Sequence, residues 1–188
     1  MVAAPTAPPV RSRPVLALVL LVGAGVAVAI GVYARVHSPA GRPLFLFGFS
    51  GMLQLKTWLA TVALVLVVVQ LVTALWIWDR LPVLGPAPAS LPSVHRWSGS
   101  VGFALTLPVA LHCVWSLGFV TGSPRVLAHG ILGCAFYGAY AAKMLGLRVR
   151  GLPRWAIPVL GGSVFTLFLL VWTTSAAWFF TRSGVPLF

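Results

Sequence analysis

The chain is almost without acid. Asp79 is its only carboxylate side chain, set against thirteen Lys and Arg residues and four His. That shortage excludes whole chemistries. There is no carboxylate pair for general acid and base work. There is no ladder of intramembrane Asp or Glu for proton-coupled transport, and no oxygen-rich cage for calcium or magnesium. Charged residues of every kind make up only 7% of the 188 positions, where a soluble domain carries about 25%. Cysteine is scarce too. Cys113 and Cys134 both lie inside apolar stretches and read as small packing residues. No Gly-rich phosphate loop is present, so the chain brings no nucleotide site of its own.

What remains is apolar. Hydrophobic residues account for 60% of the chain, and the mean hydropathy is +1.01. So little polar surface cannot cover a water-facing globule, and the composition is that of an integral membrane protein. Five apolar stretches reach the roughly 20 residues that a crossing needs. They fall at about 14–36, 57–78, 96–119, 125–146 and 155–180. The expected fold is an all-α bundle of five transmembrane helices over 14–182. Residues 1–13 form a disordered cytoplasmic tail and 183–188 a short tail. The first stretch is too long for an ordinary signal-peptide core and is read as a retained span.

The basic residues set the expected orientation. Arg11, Arg13, Arg80, Arg96, Lys143, Arg148, Arg150 and Arg154 fall on one side, eight in all; Arg35, Arg42, Lys56, Arg125 and Arg182, five, fall on the other. The positive-inside rule then puts the N-terminus in the cytoplasm and the C-terminus outside. The expected location is a bacterial inner (plasma) membrane, with several passes. The cations are spread singly through the loops, so the partner they imply is the lipid bilayer and not nucleic acid. The outer loop, 37–56, contains LFLFGF, too short to span and expected in the interface. Trp58, Trp76, Trp78, Trp155 and Trp178 fall near span ends, as aromatic belts do.

With so few ionisable groups, an intramembrane histidine is a functional hypothesis by default. His112 and His129 fall in the outer halves of the third and fourth spans. Two neutral imidazoles at similar depth can clamp one iron, so the pair is the expected site of a haem b. Pro108, one turn before His112, bends the helix. Gly130, Gly133, Cys134 and Gly138 offer either a close approach for a macrocycle or a seat for another helix. Hairpin helices normally pack with axes about 8–10 Å apart, so a haem between these two would require them to splay. His37 is expected to be solvated in the outer loop. His95 lies about 25 Å from His112 along the helix axis, at the cytoplasmic face. Ser93, His95, Arg96 and Trp97 are candidates for docking a quinone or a partner, and Asp79, Arg80, Arg96 and Lys143 for a small charged cluster.

Three resemblances add to this. HRWSG followed by an apolar helix with a second histidine resembles the transmembrane b-type cytochromes of the ferric-reductase and ascorbate-reducing families. That resemblance implies one outer haem on His112 and His129; the inner haem lacks its second histidine. SVHRWSG resembles the start of the first span of succinate dehydrogenase cytochrome b subunits, which implies a quinone pocket at Ser93 and Arg96. The string LKTWLAT, HRWSG, LPVALHC, AHGILGCAFYGAYAAKMLGLR, LPRWAIPVLGG and TSAAWFF is similar to a family of small five-span actinobacterial membrane proteins. It implies a fold and a membrane location.

The resulting expectation is a small b-type cytochrome, or a cytochrome-like subunit in transmembrane electron transfer. It would depend on other membrane redox proteins or a mobile electron carrier. The alternatives are a cofactor-free subunit that supports assembly of a larger respiratory complex, and a quinone-binding membrane anchor.

Overall fold

The computed structural model describes residues 12–185, and they are all helix and loop. The expected tail over 1–13 lies almost wholly outside them, as do 186–188. Five long helices run in chain order: α1 (Ser12–Val36), α2 (Met52–Ile77), α3 (Leu91–Leu111), α4 (Pro124–Gly146) and α5 (Ala156–Trp172). α3 continues into a π-helical segment, His112–Leu117. α5 continues through a second one, Thr173–Ala177, into the short α6 (Trp178–Ser183).

Local chemistry explains the boundaries. Pro124 sits in the first turn of α4, where its missing N–H costs nothing, and the Ser123 hydroxyl caps the free Val126 N–H at 3.3 Å. α3 starts at Leu91, earlier than the apolar pattern suggests, with Pro92 in its first turn. HRWSG is therefore the second turn of a helix and not its mouth. The π segment of α3 stops at Gly118, whose φ of 69° suits glycine alone. A Cβ there would also stand 2.9 Å from the Pro39 ring.

Four helical stretches are long and apolar enough to cross a membrane: Arg13–Val36, Met52–Ile77, Leu91–Leu117 and Ala156–Ser183. α4 has the length but carries Arg125, His129, Lys143 and many small residues. It is also the helix with most protein around it. α4 packs between α1 and α5, and α2 packs between α3 and α5. Apolar side chains cover the outside of the bundle, with Leu21, Val28, Val65 and Trp97 all more than half exposed, as lipid-facing residues are.

α3 and α4 are consecutive but share almost no backbone contact. α4 is drawn to α1 instead, because both offer small residues there. A Cβ at Gly138 would stand 2.5 Å from the Gly23 carbonyl oxygen, so the two backbones touch. Cys134 faces Gly31 on the same seam. α3 and α4 meet mainly through side chains of α4 and Phe103. Phe103 stacks on Tyr140 at 3.8 Å, and the Tyr137 hydroxyl donates to the Thr106 carbonyl at 2.9 Å. The bundle interior is filled by Ala63, Phe136 and Phe168.

Candidate functional site

Polar side chains collect at two levels of the bundle. The first is the end that carries the loop between α1 and α2. His112 is completely buried there. Its Nδ1 lies 2.8 Å from the Pro108 carbonyl, which can only accept, so Nδ1 donates there. Nε2 meets two groups of the loop, the Leu44 backbone N–H at 3.2 Å and the Phe45 carbonyl at 3.1 Å. Phe45 closes over the ring edge-on at 4.6 Å. The same loop caps the orphan carbonyls at the end of α3. Ala40 N–H donates to Trp115 O and Gly41 N–H to Ser116 O, both at 3.0 Å. His112 is thus a fastener for the loop.

His37 is not a solvated loop residue. Its ring stacks on Tyr33 and tilts against Trp115 at 4.5 Å, and its Nε2 is buried without a partner.

His129 faces a different set of groups. The Thr174 hydroxyl gives its hydrogen to the Leu170 carbonyl at 2.8 Å. It therefore accepts from His129 Nδ1–H, at 3.3 Å, which leaves Nε2 of His129 with a free lone pair. Cys113 and Lys56 lie within electrostatic range of one another and of the His129 ring. Arg125 fixes the rim: it donates to the Thr174 carbonyl at 2.6 Å and lies 3.8 Å over the Trp178 ring. His112 and His129 share no hydrogen-bonding partner; the first serves the loop and the second meets Thr174. Sequence reasoning assigns Cys113 to packing. Cys113 follows His112 directly, and adjacent helical residues point about 100° apart, so the two face different neighbours.

The second level is in the half of the bundle near the α2–α3 connection. Thr73 donates to the Val69 carbonyl at 2.7 Å and accepts from His95 Nδ1–H at 2.7 Å. Nε2 of His95 is left as an acceptor. The Gln70 amide donates to the His95 carbonyl and to the Ser98 hydroxyl, the latter at 2.8 Å. Lys143, on α4 across the gap between α3 and α4, lies within electrostatic range of the His95 ring. It makes no ion pair among the described residues.

The four residues proposed for docking do not converge. His95 turns toward α2, Arg96 donates to the Ser93 hydroxyl at 3.0 Å on an exposed face, and Trp97 is 73% exposed. Asp79 stands exposed in a left-handed turn after α2. Among the described residues no group of three or more His, Cys, Asp or Glu side chains is placed to hold a metal ion.

The family model that matches this chain covers residues 16–187, nearly all of the helical bundle. The chain belongs to DUF6529, a family of unknown function. No curated protein and no solved structure matches it. For this DUF6529 member, then, the helix bundle and its two polar levels carry the functional argument.

Proposed function

We propose that this DUF6529 protein is a quinone-binding membrane subunit of a redox system, with the quinone head group held between His95 and Lys143. The arrangement is five spans in a bacterial plasma membrane, N-terminus inside, which sets these two residues in the cytoplasmic half. The carrying observation is the hydrogen-bond order at His95. Thr73 holds Nδ1–H, so Nε2 presents a lone pair beside an ammonium that has no ion-pair partner among the described residues.

That pair suits a quinol. Oxidation of a quinol to a quinone releases two electrons and two protons. His95 Nε2 accepts one hydroxyl proton, the second is released to water at the cytoplasmic face, and the Lys143 ammonium stabilises the negative charge on the deprotonated quinol oxygen. The electrons pass to a partner redox protein or a mobile carrier, since the chain has no nucleotide site. The Phe103–Tyr140 stack closes the α3–α4 gap one turn from Lys143. An apolar groove of about 600 Å³ between α1 and α3, lined by Ile30, Leu107 and Leu111 with Tyr137 at its back, gives room for an apolar tail.

Binding of a short-chain quinone to the purified protein, followed by tryptophan quenching, tests this. His95→Ala should weaken it roughly 10- to 100-fold, the value of a lost hydrogen bond near a charge. Lys143→Gln should weaken it comparably. An unsaturable signal, or affinity unchanged in both variants, would refute the reading.

A haem on His112 and His129 is the second reading, favoured by the separation of α3 and α4. It requires Nε2 of His112, which the Leu44 N–H occupies, so Leu44 and Phe45 would have to leave the ring. The expected reduced-minus-oxidised visible spectrum of protein expressed with added haem therefore has no b-type α band. A band lost in both His112→Ala and His129→Ala would establish the haem instead.

A further inference from the structure

The loop that joins α4 to α5 is tied down along its length. The Arg148 and Val149 N–H groups both donate to the Leu145 carbonyl, at 2.9 and 3.1 Å. The Val149 side chain packs against the buried cluster of Val19, Ala142 and Leu160. Gly151, with a φ of 88°, lets the chain reverse. Leu152 then covers the end of α4, its Cδ1 lying 3.2 Å from where a Cβ on Gly146 would stand. Around these inward residues stand Arg148, Arg150 and Arg154, all three exposed. Leu147 and Trp155 flank them, each more than half exposed. Arg13 belongs to the same end of the bundle. α1 runs antiparallel to α4, since Gly23 meets Gly138 and Gly31 meets Cys134. Arg13 precedes Val19 by six residues, which sets it about 9 Å beyond the buried cluster, on the side of the loop.

These cations have no counter-charge on the protein. Among the described residues none of the three loop arginines makes a hydrogen bond or an ion pair, and the chain has a single carboxylate side chain, Asp79. We propose that the α4–α5 loop binds the phosphodiester head group of an anionic phospholipid, gripped by Arg148, Arg150 and Arg154 and completed by Arg13. Such a lipid satisfies both halves of the surface. Its phosphate meets guanidinium forks, which can each give two parallel N–H bonds. Its glycerol and upper chains meet Leu147 and Trp155, at the level where amphipathic side chains lie in a bilayer. A fixed loop loses little entropy when the head group docks. The site shares no residue with the His95 level, so this proposal and the quinone reading stand or fall separately.

The test uses the full-length protein in an uncharged detergent, with dioctanoyl phosphatidylglycerol, dioctanoyl phosphatidylcholine and inorganic phosphate as probes. Native mass spectrometry counts bound lipid, and the melting temperature without lipid reports the fold. Phosphatidylglycerol should bind saturably and roughly 10-fold or more tighter than phosphatidylcholine, the scale of one hydrogen bond to a charged group. Changing Arg148, Arg150 and Arg154 together to Lys keeps the charge but removes the forks. It should weaken phosphatidylglycerol binding by about 10-fold or more. Arg35→Lys with Arg42→Lys, at the other end of α1, should leave binding unchanged. Equal binding of the two lipids, or wild-type affinity in a folded triple-lysine variant, would reduce the arginines to topology signals and overturn the proposal. Displacement of the lipid by equimolar inorganic phosphate would show an anion site indifferent to lipid. Preference for a glutamate-rich peptide would show a protein-docking face. Either result would overturn it as well.

Discussion

Replacing His112 with alanine should free residues 38–51 from the end of α3 and cost about 3–5 kcal/mol of stability. Two losses combine. The ring fills a completely buried position, with Phe45 packed on its edge, so its removal leaves a cavity. The Leu44 N–H, which donates to Nε2, loses its acceptor in a place where water does not replace it. The Ala40 and Gly41 hydrogen bonds to the α3 end survive in principle, but they hold only the first part of the loop. His112→Gln retains an acceptor at similar reach and should recover part of the loss. Limited proteolysis of the loop, with melting temperature in detergent, measures both. A His112→Ala protein with a wild-type melting temperature and a protected loop would remove the fastener role.

The α1–α4 seam should be the next most sensitive place. At Gly138 a methyl group would meet the Gly23 carbonyl oxygen at 2.5 Å and the Ala27 side chain at 2.9 Å. Backbone cannot yield as a flexible side chain does, so the helices must move apart along their length. Gly138→Ala should cost about 2–3 kcal/mol, the upper range for overpacking, and Gly138→Leu should prevent α1 from docking. Gly25→Ala is the control. Nothing lies within 4 Å of its added carbon, so its effect should stay within about 0.5 kcal/mol. A crosslink between Gly31→Cys and the native Cys134, whose Sγ lies 3.5 Å from where the added carbon would stand, would report docking directly. Equal melting temperatures for Gly138→Ala and Gly25→Ala would refute the close crossing.

Much of the fold is legible from hydropathy. The apolar runs mark all five long helices; four of them are apolar enough to cross a membrane, and α4, packed between α1 and α5, is not. The start of α3 is hidden, since Ser93, His95 and Ser98 are polar; His95 and Ser98 find their partners in Thr73 and Gln70 of α2, far away in sequence. The small residues of α4 admit two readings because haem and helix seat them alike; Gly138 and Cys134 meet Gly23 and Gly31 of α1, while Gly130 faces Phe119 and Gly133 has nothing within 4 Å of an added carbon. The histidines are recognisable as important, but their roles are not. A ring's role depends on which nitrogen is already spoken for. Leu44, Thr174 and Thr73, remote in sequence from the rings they meet, settle that.

The two π segments have a consequence for how such chains vary in length. A π turn holds one residue more than an α turn, and each extra residue rotates the remainder of the helix by about 100°. That rotation is what carries Trp178 beneath the Arg125 guanidinium. A chain one residue shorter between Leu170 and Trp178 keeps an unbroken α-helix and loses that contact. Deleting one residue between Leu170 and Trp178 should therefore change the rim alone, while the seam below it should accept only residues as small as those already there.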